Sequence, residues 1–221
     1  MKTIIRFFLA SALMLSVAFA SNAQFNTLDA GSTLSLKFNG IMPMGNFGNA
    51  SQSIYPTILN FSPNGDATMG AGFGLSIDYH FSFGLSIFIT ADAMWNQLNK
   101  DMRIMYDGIK KSKPNYLNFP VMGGLGYKCY FGDFFGLYAE GAAGVNFLYV
   151  SPEGFTSELT EFKTGNKFAW SAGGGILLGY HLSLGVHYYS LGKQEIVPKD
   201  VTILSKTQDV RTLQFRLGVI F

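Results

Sequence analysis

Residues 211–221, RTLQFRLGVIF, alternate apolar and polar side chains almost to the last position. Successive side chains of a β-strand point to opposite faces, so this period of two predicts a strand with one apolar face. The apolar face consists of Leu213, Phe215, Leu217, Val219 and Phe221. The other face carries Thr212, Gln214, Arg216 and Gly218, and Ile220 is the one exception. Such a strand needs a neighbour with which to pair.

Seven earlier segments of about ten residues alternate in the same way. They are residues 33–42, 69–80, 84–96, 117–131, 135–149, 167–180 and 182–190. In each segment bulky apolar side chains lie on one face, and Gly, Ser, Asn or single charges lie on the other. The connections alternate too. They are very short around 81–83, 132–134 and 181, and long and polar at 43–68, 97–116, 150–166 and 191–210.

This pattern is typical of outer-membrane barrels, in which short turns face the periplasm and long loops face outward. Lipid offers no hydrogen bonds to the backbone, so strands cross it only as a closed barrel. We therefore predict an all-β fold, an eight-stranded antiparallel up-and-down transmembrane barrel. Both termini would be periplasmic, and four long loops would be extracellular.

The first 23 residues have the composition of a secretory signal peptide. Lys2 and Arg6 precede an apolar run at 7–20, and Ser21-Asn22-Ala23 offers a small-residue cleavage site. We expect cleavage after Ala23, which leaves one barrel domain at 24–221. The full chain has a formal net charge of +2, and the signal peptide contributes both positive charges. The remaining domain therefore has no net charge. Charged residues make up only 14% of the chain, against roughly 25% in soluble domains.

Two other folds are compatible with parts of the sequence. Residues 168–192 carry no Asp, Glu, Lys or Arg and are long enough for a transmembrane helix, although they contain six glycines. A soluble β-sandwich or lipocalin-like barrel would place the apolar face inside. An eight-stranded barrel has little interior room, which favours glycine inside and bulk outside.

Aromatic residues on the apolar faces sort into two groups by height, as expected for rings at both membrane interfaces. One group falls at the turn ends of the strands: Tyr79, Phe131, Phe135, Tyr180 and Phe221. The other falls at the loop ends: Trp95, Phe119, Phe147, Tyr149, Phe168, Trp170 and Tyr188.

The chain resembles the small outer-membrane β-barrel domain proteins, including the PorT-like group, and more loosely the transmembrane domain of OmpA. The resemblance is carried by the junction Ala23-Gln24, by LSLKFNGIMPMGNFG at 34–48, by YLNFPVMGGLGY at 116–127 and by the terminal Phe221. LNFP is similar to the Leu-x-Ile-Pro that opens the fourth strand in that group, with Phe119 in place of an aliphatic residue. The terminal alternating strand, with Phe215, Leu217, Val219 and Phe221, resembles the signal read by the barrel-insertion machinery.

Few residues offer chemistry. His80 and His181 fall at turns and His187 faces the predicted lumen, and none has a second ligand at metal-binding spacing. We expect no catalytic residue, no metal site, no cofactor and no nucleic-acid partner. The prediction is a non-enzymatic monomer, structural or partner-binding, in contact with the bilayer and lipopolysaccharide, with an unidentified outer-membrane or surface protein as a candidate partner. A small diffusion pore, a lipid-modifying enzyme and an accessory factor of protein secretion are the alternatives.

Two charged sets are candidate sites. The inward positions of the strands hold Lys37, Asp78, Asp92, Lys128, Glu140, His187 and Arg216. Confined charges should pair, so we predict a network that closes the barrel, with Lys37 near Asp78 and Lys128 near Glu140. The second set lies in the second long loop and would contact lipopolysaccharide phosphates or an acidic partner. It consists of Lys100, Arg103, Lys110, Lys111 and Lys113.

Overall fold

The computed structural model describes residues 30–49, 65, 67–98, 115–150, 160–162, 166–198 and 206–221. The predicted signal peptide lies outside these residues. So do all five cations of the second long loop.

Nine strands follow one another along the described chain. They are β1 (Gly31–Met44), β2 (Ala67–His80), β3 (Leu85–Leu98), β4 (Asn115–Phe131), β5 (Phe135–Val150), β6 (Thr160–Phe162), β7 (Asn166–Leu178), β8 (Leu182–Pro198) and β9 (Lys206–Ile220). All but β6 form the wall, and each pairs antiparallel with its neighbours. The result is the predicted closed, eight-stranded up-and-down barrel.

The last strand closes the sheet, because β9 pairs with β8 on one side and with β1 on the other. The ladder with β1 runs from Ser35 opposite Ile220 to Met44 opposite Arg211. The Phe221 amide donates a hydrogen bond to the Leu34 carbonyl at 2.8 Å, and the Leu34 amide donates one back at 3.1 Å. The alternating segment at 211–221 thus closes the barrel.

The predicted faces are confirmed by the exposure of alternate side chains. In β9, Phe215 and Leu217 are 52% and 43% exposed, whereas Gln214 and Arg216 are 0% and 4% exposed. The same outward apolar band runs around the other wall strands. A soluble barrel with its apolar face inside is therefore wrong.

The helical alternative is also wrong, because residues 168–192 form β7, a tight turn and part of β8. Across the described residues, no helix has both the length and the apolar character needed to cross a bilayer. Gly84, Gly132 and Gly179, in the short turns after β2, β4 and β7, have φ values of 93°, 74° and 60°. Side chains other than glycine rarely adopt this left-handed backbone.

The long connections hold more structure than predicted. A single 3-10 turn, Gly45–Phe47, follows β1, and β6 pairs with the outer end of β8. The hairpin of β8 and β9 extends through most of the predicted loop at 191–210. This extension lacks the apolar alternation of the wall, which is why a pattern built on apolar faces missed it.

Candidate functional site in the barrel lumen

The seven predicted luminal residues all occupy inward register positions of the wall strands. Lys37, Asp78, Asp92, His187 and Arg216 are buried, and Lys128 and Glu140 are partly buried. They come from β1, β2, β3, β4, β5, β8 and β9. Every wall strand except β7 therefore contributes one of these side chains to the interior.

Arg216 contacts three other strands, the two neighbours of β9 and, across the interior, β5. Its Nη1 donates a hydrogen bond to Glu140 Oε1 at 2.6 Å, and its Nε donates to Asn39 Oδ1 at 3.3 Å. Its Nη2 donates to the Tyr189 hydroxyl. Charge-assisted bonds of this kind are stronger than neutral ones and fix the planar guanidinium in place. Arg216 thus ties β9 to β1, β5 and β8.

Tyr189 carries the network to the opposite wall. Its hydroxyl donates to Asp92 Oδ2 at 3.2 Å, which joins β8 to β3. The Thr90 hydroxyl lies 3.4 Å from the same carboxylate oxygen and accepts a hydrogen bond from Lys37 Nζ at 3.2 Å. Lys37 Nζ also lies 5.7 Å from the centre of the Phe88 ring, within cation–π range. One connected chain of contacts therefore spans the lumen.

Lys128 and His187 make further contacts in the lumen. Lys128 Nζ is 3.8 Å from Asp78 Oδ1. His187 lies between two partners, with Nε2 at 3.1 Å from the Tyr138 hydroxyl and Nδ1 at 3.5 Å from Glu140 Oε1. The three groups therefore lie in the order hydroxyl, imidazole and carboxylate. Glu140 is also held by Arg216, so the group is part of the same network.

These partners differ from the predicted ones. Strand adjacency suggested Lys37 with Asp78 and Lys128 with Glu140, whereas the structure pairs Lys128 with Asp78 and Glu140 with Arg216. Arg216 and Glu140 come from β9 and β5, which are not neighbours in the sheet. Long side chains inside a narrow barrel reach across it, so neighbouring strands are a poor guide to luminal partners.

Luminal glycines make room for these large side chains. A Cβ added at Gly74 would overlap Asp92, and one at Gly173 would overlap His187. A Cβ at Gly185 would overlap the Tyr138 hydroxyl. Because these inward glycines have no side chain, they leave the space that charged and aromatic side chains of other strands occupy.

An apolar layer, which the sequence analysis missed, lies on the loop side of the charges. Its described members are Ile41, Phe47, Ala67, Met94, Tyr116, Met122, Leu148, Ala169, Tyr189, Leu191 and Val210. All eight wall strands contribute. The available signal was a loss of alternation toward the loop ends, where apolar residues such as Ile41 and Met42 occupy both faces.

Phe47 completes this layer from the chain segment after β1. It is fully buried, and its ring meets that of Tyr116 edge-on, with centroids 5.2 Å apart. The Tyr116 hydroxyl donates to the Gly65 carbonyl at 2.7 Å, and the Gly65 amide donates to the Asn46 carbonyl at 2.6 Å. Both ends of the first long connection are thereby held against the barrel mouth.

The other predicted site residues fall elsewhere. Phe215, Leu217, Val219 and Phe221 share the outward face of β9, and Phe221 is 66% exposed. Lys100, Arg103, Lys110, Lys111 and Lys113 lie outside the described residues. Within the described part of the chain, no group of three His, Cys, Asp or Glu side chains is arranged to hold a metal ion.

Comparison with known proteins agrees with this architecture. A family profile described as "Outer membrane protein beta-barrel domain" matches residues 7–221. No curated protein matches the chain.

Several solved structures are similar to this chain. Outer membrane protein OprG from Pseudomonas aeruginosa is 15% identical with a TM-score of 0.50, over 90% of this chain and 99% of that one. Neisserial surface protein A is 13% identical with a TM-score of 0.50, over 87% and 98%. Ail of Yersinia pestis, solved with the heparin analogue sucrose octasulfate, is 14% identical with a TM-score of 0.47, over 88% and 100%.

Proposed function

Since this chain belongs to the outer membrane protein beta-barrel domain family and is an outer-membrane protein, we propose that it is a closed, non-enzymatic barrel. In this proposal the barrel is a stable membrane platform, and its extracellular loops contact the outer leaflet or a partner protein. The observation that carries the proposal is the connected chain Glu140–Arg216–Tyr189–Asp92 across the lumen.

Two barriers in series support a lumen closed to ions. The charged layer is bonded wall to wall, so an ion would have to break contacts that are themselves charge-assisted. Above it lies the layer capped by Phe47 and Tyr116, where closely packed apolar side chains and the mutually bonded amides of Asn118 and Asn146 leave little to replace the water of an ion. An eight-stranded barrel is only just wide enough for side chains to fill it.

The same contacts argue against the alternative functions. A diffusion pore needs a continuous aqueous path, and a lipid-modifying enzyme needs a nucleophile and base accessible at the outer leaflet. His187 and Tyr138 instead face the interior. The PorT-like grouping, a role in secretion, cleavage after Ala23 and the monomeric state stay predictions, as does contact of the second-loop cations with lipopolysaccharide.

Planar-bilayer recording of the purified, refolded protein tests the proposal. We expect no steady unitary conductance above the protein-free bilayer. A stable open level in the wild-type protein would contradict closure and favour the pore. Mass analysis of lipid A from cells with and without the protein tests the enzymatic alternative, and a mass change that depends on the protein would contradict the non-enzymatic assignment.

A further inference from the structure

Two cations and a carboxylate lie together on the outward face at the loop ends of β8 and β9. Arg211 pairs in register with Ser190, and Lys193 pairs with Asp209. Arg211 contacts the Asp209 carboxylate, yet half of the Arg211 side chain stays exposed. Lys193 is exposed as well. The group therefore keeps one net positive charge and free guanidinium hydrogen-bond donors.

A bulge places Lys193 on this face. The β8–β9 register shifts between Ser190 and Lys193, and Gly192 in that interval has a φ of 88°. Odd-numbered residues earlier in β8, such as His187 and Tyr189, point inward. Without the shift Lys193 would follow them into the lumen. β-Bulges commonly re-aim side chains in this way.

The outer aromatic rings lie just below the cations. Trp170 and Tyr188 are in contact on the outward face, with ring centroids 5.4 Å apart. Trp170 is in register with Ser190, and Ser190 is in register with Arg211. The segment from Phe221 back to Arg211 has eleven residues, which is about the length of a strand that spans a bilayer. Arg211 is therefore at headgroup height.

We propose that Arg211 and Lys193 bind a phosphate group of an outer-leaflet lipid whose acyl chains lie against Trp170 and Tyr188. Arginine offers paired donors that match a phosphate, and Asp209 orients the guanidinium without using all of them. Long cationic side chains at a membrane interface direct their charge toward the headgroups. The site is distinct from the second-loop cations and does not depend on a closed lumen.

Native mass spectrometry of the refolded full chain, titrated with diphosphoryl lipid A in detergent, tests the proposal. We expect a saturable complex. Arg211→Gln and Lys193→Gln should each weaken it about fivefold, which is what roughly one cation near an anionic lipid surface contributes. Lys167→Gln is the matched control, since Lys167 lies at the same rim in register with Asn146 on the inward side. The Lys167→Gln variant should bind lipid A with the affinity of the wild-type chain.

Two competition measurements distinguish a lipid site from a general anion site. Inorganic phosphate should compete only weakly, because it lacks chains to contact the aromatic pair, and phosphatidylcholine should bind less tightly. Equal binding by inorganic phosphate or by phosphatidylcholine would overturn the proposal, as would unchanged affinity for lipid A when Arg211→Gln and Lys193→Gln are combined. Heat-modifiable mobility on gels confirms folding of each variant, and loss of wild-type affinity at high salt gives a readout that needs no substitution.

Discussion

Tyr189 joins opposite walls of the barrel through one oxygen atom. Its hydroxyl accepts a hydrogen bond from Arg216 of β9 and donates one to Asp92 of β3 at 3.2 Å. Tyr189 is 1% exposed, so bulk water does not compete for either hydrogen bond. This single phenol therefore links the arginine–glutamate pair to the aspartate.

Replacing Tyr189 with phenylalanine tests how much this link contributes. Tyr189→Phe keeps the ring but leaves Asp92 and Arg216 each short of a partner. We expect a loss of about 1–3 kcal/mol in the free energy of unfolding, the usual cost of an unsatisfied buried group. Urea unfolding in phosphatidylcholine vesicles measures it. Tyr188→Phe, one residue away on the outward face, is the control and should cost less; equal losses would count against the link.

Glu140 and Arg216 should behave as a coupled pair. Glu140→Ala leaves the Arg216 guanidinium buried without its carboxylate, at a cost of up to about 3–5 kcal/mol, reduced here by partial access of water to Glu140. Adding Arg216→Met should recover part of that loss. Adding Lys128→Met to Glu140→Ala should not, because Lys128 contacts Asp78. Double-mutant cycles measure both couplings. If Lys128→Met recovers stability in the Glu140→Ala background and Arg216→Met does not, the Lys128–Glu140 pairing predicted from strand adjacency is favoured instead.

Alanine substitution at one inward and one outward glycine compares packing inside the lumen with packing on the outer face. A Cβ at Gly173 would overlap His187, whereas at Gly141 the nearest atom would be the Ser171 carbonyl oxygen at 3.8 Å. Gly173→Ala should therefore destabilise the barrel by about 1–3 kcal/mol through overpacking. Gly141→Ala should be neutral or slightly stabilising. Parallel unfolding titrations decide this, and equal effects would mean that the lumen is looser than the packing indicates.

The two luminal barriers should fail only together. Phe47→Ala removes the ring that caps the apolar layer but leaves the charged layer intact, so we expect no conductance. Tyr189→Ala alone leaves the Phe47–Tyr116 cap in place and should also be silent. The double variant opens both layers and should conduct in planar bilayers. Conductance from Phe47→Ala alone would show that the charged layer does not seal the lumen.

The terminal residue should govern insertion rather than export. Phe221→Asp places a charge on the outward face of the closing strand, and we expect the protein to reach the periplasm but not to form a heat-modifiable barrel in the outer membrane. Phe134→Asp is the control, because Phe134 is 73% exposed in a short turn outside the closing strand. Normal insertion of the Phe221→Asp variant would refute a role for the terminal aromatic.

Alternation along the sequence was enough to predict the barrel, its eight wall strands and the faces of the side chains within the alternating segments. A period of two assigns faces locally, and Arg216 and Leu217 need no knowledge of other strands to be placed inward and outward. The low charge content and the two groups of aromatic residues predicted a membrane location, because neither observation requires knowledge of which strands pair.

Contacts across the lumen were decided by the tertiary structure. Arg216 meets Glu140, and Tyr189 meets Asp92, because strand stagger and barrel diameter bring distant strands to the same height. Phe47 could not be assigned from its loop sequence, since its burial depends on a mouth that eight strands build together. Period and polarity are properties of single segments, whereas partner choice inside a closed barrel depends on the closure of the whole sheet.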